Sequence, residues 1–212
     1  MRLWAAGLAC WAALSGPAAA YVPAPGAAEI AEATRLGAAL AEPYRGYPVQ
    51  DYLLYAVGDA LALDPSAGCV DAVQVATPFE RTRHASFLAA LARRPIGPEA
   101  AREAAAFPDG ALAFTIFAHG AAEDDQDFLQ RFSPPQLTFA GRAARLTGQD
   151  RSPTFRDIYP HAPASDRERQ VGTVTFRFQL DPASLADGRG VLSFTDACAK
   201  AFRLPVDLAR YR

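Results

Sequence analysis

The chain has 212 residues, of which 50% are hydrophobic, and its formal net charge is −2. The apolar content is sufficient for a sizeable core, and the charge balance lacks the basic surface of a nucleic-acid-binding domain. No phosphate-binding loop or nucleophile motif is present. We therefore expect a globular protein with no nucleic-acid partner and no cofactor.

Residues 1–20 have the order of a secretory signal peptide: Arg2, an apolar run over 3–14, a Ser-Gly-Pro break and three alanines. A membrane anchor is disfavoured because the run is about 12 residues long and a spanning helix requires roughly 20. A lipoprotein attached through Cys10 is also disfavoured, because Gly7 stands where a leucine is usual, three residues upstream, and the apolar core would be very short. We predict cleavage after Ala20 and export to the periplasm or the extracellular space. No later run in the sequence predicts a membrane span in the mature chain.

After a proline-rich linker over 21–26, apolar spacing predicts a helix over 27–40. A tyrosine-rich region follows, which could form a stacking surface for a sugar or peptide. Packing of these rings against a sheet edge is the favoured interpretation. Residues 52–57 and 60–63 are predicted to form a hairpin with a two-residue turn. The tyrosines of the tyrosine-rich region are Tyr44, Tyr47, Tyr52 and Tyr55.

The clearest local pattern is a strand over 70–76 that runs into a helix. Thr77-Pro78-Phe79-Glu80 has the form of a capping box, which places the helix start at Pro78. We expect Glu80 to reach back to the N-cap. The apolar residues Phe79, Phe87, Leu88 and Leu91 are predicted to share the buried side, while Arg81, Arg83, Arg93 and Arg94 are predicted to be solvated. His84 could act as a base or a metal ligand, but no second histidine at helical spacing accompanies it.

A second helix over 99–107 and several strands are predicted after this point. Residues 111–118 are apolar enough for a central strand, and 136–146 are predicted to form a more polar strand that kinks at Gly141. Residues 171–180 alternate between apolar and polar side chains, which is typical of a half-buried antiparallel strand. A terminal hairpin is predicted from 190–195 and 199–206.

These elements predict an α+β fold, mainly an antiparallel β-sandwich covered by two or three helices. The predicted domain covers 27–212, with a mixed helix and sheet half over 27–110 and an all-β half over 111–212. The terminal strand and hairpin resemble an immunoglobulin-like sandwich in general appearance. This resemblance concerns the fold and implies little about function.

The densest polar cluster follows the predicted central strand. His119, Asp124, Asp125 and Asp127 are the candidate ligand-binding residues, and Glu123 lies among them. Several carboxylates and an imidazole could bind calcium or act as an acid and base pair. The cluster lacks the order of a calcium-binding loop, so a plain acidic surface loop is the competing interpretation.

The long polar segment over 147–170, which contains His161, is predicted to be a loop. Loops of this length in a compact domain are often functional or disordered. It is therefore a second candidate for recognition of a ligand or partner.

Cleavage of the signal peptide leaves two cysteines, Cys69 and Cys198. An even number of cysteines in an exported protein predicts a disulfide between them, with two separate thiols as the alternative. Taken together, these patterns predict an exported, non-catalytic module that binds an envelope protein or a small ligand. The alternative is a metal-assisted hydrolase with its site near His119 and the acidic loop.

Overall fold

The computed structural model describes residues 21–42, 46–57, 68–158, 168–182, 185 and 188–212. The predicted signal peptide and the predicted strand over 60–63 lie outside the described residues. Tyr44 and His161 also lie outside them. Within the described part of the chain, no helix is both long enough and apolar enough to cross a membrane.

Three helices match the predicted ones: α1 (Ala27–Leu40), α2 (Pro78–Leu91) and α3 (Pro98–Ala105). Each of the three packs on the other two, and the α1–α2 contact is the most extensive. At the α1 and α2 contact, Gly37 lies so close to the Arg83 carbonyl that a Cβ atom at position 37 would overlap it. The Ser86 hydroxyl donates a hydrogen bond of 2.8 Å to the Thr34 carbonyl of α1. The two helix backbones are therefore in close contact through small residues.

The buried side of α2 differs from the predicted one. Phe79 and Phe87 are buried as expected, but Leu88 is 49% exposed and Leu91 is 54% exposed. The buried stripe is completed by two small polar residues, Thr82 and Ser86. Because close packing against α1 requires small side chains, these residues and not the leucines face inward.

Among the described residues, the larger sheet has six strands, all paired antiparallel. In chain order they are β1 (Leu53–Ala56), β2 (Val70–Ala76), β3 (Ala111–His119), β6 (Arg145–Arg151), β7 (Phe155–Ile158) and β8 (Glu168–Gln179). Their order across the sheet is β1-β2-β3-β8-β6, and β7 pairs with the first part of β8. The apolar strand β3 is therefore central, as predicted.

In the part of the chain that the structure describes, the smaller sheet has four strands in the order β10-β9-β4-β5. They are β4 (Gln136–Phe139), β5 (Arg142–Ala143), β9 (Arg189–Thr195) and β10 (Ala201–Asp207). The predicted terminal hairpin is confirmed, because β9 and β10 pair from Thr195 with Ala201 to Arg189 with Asp207.

Side chains from both sheets meet in one buried core. The alternation of β8 is confirmed, with Val174, Phe176 and Phe178 fully buried and the intervening side chains partly exposed. Phe114 packs edge to face on Phe178, and Phe194 stacks on Phe202. The three helices and the two antiparallel sheets confirm the α+β class predicted from the sequence.

The segment over 136–146 is not the single strand that was predicted. Ala140 and Gly141 both adopt positive φ, at 47° and 76°, and form a tight turn between β4 and β5. The chain then leaves the smaller sheet and enters β6 of the larger one. Because the turn residues are not flanked by proline, the sequence pattern alone does not reveal the change of sheet.

The prediction of a long loop over 147–170 is also wrong for its described part. Most of these residues belong to β6, β7 and the start of β8. The polarity of β6 and β7 reflects their place at the sheet edge, where Asp150 of β6 pairs with Arg177 of the adjacent strand β8 at 2.6 Å. Charged side chains are common on edge strands because they discourage pairing with another chain.

The linker over 21–26 is fixed to the domain at its start. Tyr21 is buried, and its hydroxyl donates a hydrogen bond of 3.0 Å to the Ala111 carbonyl. Its backbone N–H donates to the Leu208 carbonyl at 3.2 Å. Tyr21 thus connects the start of β3 with the residues after β10.

Candidate functional site

His119, the first of the predicted site residues, ends strand β3 on the outer face of the larger sheet. Its Nδ1 lies 3.0 Å from Oδ1 of Asp71, a β2 residue that the sequence analysis did not select. The side chains are 12% and 22% exposed. A carboxylate at this position orients the imidazole, as it does for a general base.

The loop over 120–127, which we name the acidic loop, is held in shape by Asp125. Its carboxylate accepts hydrogen bonds from Arg131 at 2.8 and 2.5 Å and from the Ala121 backbone N–H at 3.1 Å. The bonds from Arg131 hold the pKa of Asp125 below its usual range. Asp125 is therefore an ionised structural residue of this loop.

The other acidic residues of the loop are more open. Glu123 and Asp124 are exposed. Asp127 accepts a hydrogen bond of 3.1 Å from the Gln130 side chain at the start of a short 3-10 helix, Phe128–Arg131. The carboxylates of Glu123, Asp124 and Asp127 therefore face solvent, while hydrogen bonds hold the backbone of the loop that carries them.

The acidic loop is also attached to its neighbours. Gly120 donates its backbone N–H to the Gln170 carbonyl at 2.7 Å, and the Gln170 side chain donates to the Glu123 carbonyl at 3.4 Å. Arg131 donates to the Ala197 carbonyl at 3.5 Å, which brings the loop beside the turn between β9 and β10. The loop is thus an ordered part of this end of the molecule.

The structure does not gather the four predicted residues around one point. His119 pairs with Asp71, Asp125 pairs with Arg131, and Asp127 contacts Gln130. In the residues that the structure covers, no group of three or more His, Cys, Asp or Glu side chains is placed to hold a metal ion.

The predicted disulfide between Cys69 and Cys198 is present, and its Cα atoms are 5.6 Å apart. Cys69 immediately precedes β2 and is fully buried, whereas Cys198 lies in the turn between β9 and β10. The bond therefore joins the larger sheet to the smaller sheet, close to His119, whose backbone N–H donates to the Cys69 carbonyl at 3.1 Å.

A second polar cluster, which the sequence analysis missed as a site, surrounds Glu80. Thr77 caps α2 as predicted by accepting the Glu80 backbone N–H at 3.1 Å. The Glu80 side chain does not reach back to the cap. It is 1% exposed, and its Oε1 accepts a hydrogen bond of 2.8 Å from the Tyr47 hydroxyl. Its Oε2 has no hydrogen-bond partner among the described residues.

Arg83 completes this cluster, in contrast to its predicted solvated position. Its guanidinium lies 5.1 Å from the ring centres of both Tyr47 and Tyr52, and its Nε donates to the Tyr47 hydroxyl at 3.3 Å. The Tyr47 ring also packs on His84 and Phe87 at 4.7 and 5.2 Å. Tyr47 and Tyr52 therefore pack on α2 and do not form an open stacking surface.

Burial dominates the titration of this cluster. It raises the pKa of Glu80 even though Arg81, the Tyr47 hydroxyl and Arg83 act in the opposite direction. It also raises the pKa of Tyr47, with a further contribution from Glu80, and raises the pKa of Tyr52 to about 12. The pKa of His84 is lowered by burial and by the adjacent charges of Arg81 and Arg83. The cluster thus favours a neutral Glu80.

Comparison with known proteins returned no matching family model, no matching curated protein and no matching solved structure.

Proposed function

We propose that the protein is an exported, non-catalytic binding module of the cell envelope. Its binding surface would be the acidic loop at one end of a β-sandwich with an immunoglobulin-like general arrangement. The Cys69–Cys198 bond supports export, because disulfides persist mainly in oxidising compartments. The shared core of the two sheets supports a sandwich, in which loops gather at the two ends.

One observation carries this proposal. The acidic loop is exposed, yet Asp125 fixes it through three hydrogen bonds from Arg131 and the Ala121 backbone. A surface that is already ordered loses little conformational entropy on binding, which favours affinity. The loop therefore has the property that a recognition surface needs.

The chemistry of the loop indicates the groups that the partner presents. Carboxylate oxygens accept hydrogen bonds, so Glu123 and Asp124 favour arginine, lysine or amine groups on the partner. Exposed charges are screened by salt, so we expect binding to weaken at high ionic strength.

The test is capture of partners from envelope extracts with the variant Glu123→Gln/Asp124→Asn. The matched control is Glu99→Gln/Glu103→Gln, which removes two exposed carboxylates from α3. We expect the wild type and the control to retain the same partner and the loop variant to lose about tenfold or more in affinity, equivalent to about 1.4 kcal/mol. Equal capture by all three proteins would contradict the proposal.

The His119–Asp71 contact favours a second candidate, a metal-assisted hydrolase. The imidazole is held at 3.0 Å by a carboxylate, an arrangement suited to a general base. Metal content and hydrolase activity of the exported protein should then fall in His119→Ala, and Asp71→Asn should lower turnover. If His119→Ala and Asp125→Ala leave metal content and every screened activity unchanged, this candidate is excluded.

A further inference from the structure

The carboxylate of Asp196 contacts the backbone of both cysteines that form the disulfide. Asp196 is 2% exposed and follows directly after β9. Its Oδ2 accepts a hydrogen bond of 2.7 Å from the Cys69 N–H, and its Oδ1 accepts one of 2.9 Å from the Cys198 N–H. A single buried side chain therefore links the two cysteine backbones independently of their sulfur atoms.

Further contacts fix the carboxylate in place. Oδ1 also accepts the Lys200 N–H at 2.8 Å, and the Asp196 N–H donates to the Lys200 carbonyl at 2.9 Å, which closes the turn. On the other side, Gly68 adopts φ of 85°, and a Cβ atom there would overlap Asp196 Oδ2. Because Gly68 has no side chain, the backbone before Cys69 can approach the carboxylate closely.

Such a link matters because the cysteines are 129 residues apart in sequence and lie next to strands of different sheets. No local turn can bring them together. Disulfide formation needs Cα atoms roughly 4.4 to 6.8 Å apart with suitably directed side chains. In the structure both N–H groups donate to one carboxylate, and the two Cα atoms are 5.6 Å apart, which is within this range.

We propose that Asp196 is a positioning residue for formation of the Cys69–Cys198 disulfide. In the reduced chain it holds the two cysteine backbones at bonding distance. With oxidised glutathione as oxidant, the Cys198 thiolate, on the exposed side of the pair, attacks one glutathione sulfur and releases one glutathione. The Cys69 thiolate then attacks the Cys198 sulfur and releases the second glutathione. The two protein thiols lose two electrons and two protons, and one glutathione disulfide becomes two glutathiones.

In the experiment, the full chain is equilibrated in buffers of reduced and oxidised glutathione. The ratio of disulfide-bonded to dithiol protein then gives the effective concentration of the two thiols. We expect Asp196→Asn to lower this value by about tenfold or more, equivalent to about 1.4 kcal/mol. The matched control is Asp207→Asn, because Asp207 also accepts a backbone hydrogen bond, from Ala209 at 3.0 Å, but at the other end of β10. The control should change the value by less than about twofold.

A purely structural role for Asp196 gives a different result: Asp196→Asn would lower the melting temperature and leave the effective concentration within about twofold of the wild type. That outcome would overturn the proposal. If Asp196→Asn does not fold, hydrogen exchange in Cys69→Ser/Cys198→Ser decides the question. We expect the amides at positions 69 and 198 to stay protected without the sulfur bond, and free exchange at both amides would refute the positioning role.

Discussion

The Tyr47 hydroxyl donates a hydrogen bond of 2.8 Å to Oε1 of Glu80, a carboxyl group that is 1% exposed. The contact joins an irregular segment before β1 to the first turn of α2. It leaves Glu80 Oε2 without a hydrogen-bond partner among the described residues, so ionisation of Glu80 in the folded chain is costly. The stability of the contact between Tyr47 and α2 should therefore depend on pH.

Glu80→Gln should remove part of the pH dependence of stability. The pKa of Glu80 is raised in the folded protein, so its contribution to stability is fully present below the unfolded pKa, near 4.5, and declines as pH rises through the folded pKa. We expect the variant to equal the wild type at pH 4 and to melt about 2 °C or more higher at pH 8. Thermal unfolding of both proteins across this range provides the measurement. The exposed Glu99→Gln is the control and should show no such pH-dependent difference.

Tyr47→Phe should lower the stability of the protein, whereas Glu80→Gln should raise it at high pH. The ring and its contacts with His84 and Phe87 remain, but Glu80 Oε1 and Arg83 Nε each lose a hydrogen bond. We expect a loss of about 1 to 3 kcal/mol in denaturant unfolding at neutral pH, with a smaller loss at pH 4, where Glu80 is protonated. Tyr52→Phe loses one hydrogen bond of 3.3 Å to the Arg212 carbonyl and should be milder. Equal effects of the two variants at both pH values would contradict the assigned role of Tyr47.

Gly37→Ala should destabilise the protein, although alanine favours a helix over glycine by about 1 kcal/mol. The added Cβ would overlap the Arg83 carbonyl, which belongs to the backbone of α2 and cannot move aside alone. We expect a net loss of about 1 to 3 kcal/mol from forced separation of α1 and α2. A gain in melting temperature would show that the two helices are not in close contact.

Phe87 and Leu88 are adjacent but should respond very differently to truncation. Phe87 is 7% exposed and packs on Tyr47, whereas Leu88 is 49% exposed. Phe87→Ala should cost about 3 to 5 kcal/mol, and Leu88→Ala should change stability by less than about 0.5 kcal/mol. Chemical denaturation of both variants tests the orientation of α2, and similar losses would mean that its buried side has been misassigned.

Local signals in the sequence were sufficient for much of the fold. The helix start at Pro78 follows from Thr77 and proline at neighbouring positions, and the alternation around Phe176 shows the two faces of β8. Counting the cysteines that follow the predicted signal peptide predicted the bond between Cys69 and Cys198. Each of these inferences needs only neighbouring residues or a simple pairing rule.

The sites depend on contacts between distant parts of the chain, which periodicity cannot reveal. Tyr47 and Glu80 are 33 positions apart, and Asp71 and His119 are 48 positions apart. Glu80 fits a capping box in sequence, so the pattern directs attention to the helix end and away from the tyrosine. Whether His119, Asp124, Asp125 and Asp127 bind a ligand stays a prediction.

The turn at Ala140 and Gly141 and the Cys69–Cys198 bond have a joint consequence for chain integrity. Cleavage of the peptide bond between Ala140 and Gly141 would place Cys69 on one fragment and Cys198 on the other, so the disulfide would still hold both together. The smaller sheet would then be assembled from both fragments, because β4 precedes the cut while β5, β9 and β10 follow it. A nicked molecule would migrate as one chain without reductant and as two with it, which makes this turn a natural position for splitting the protein into complementary halves.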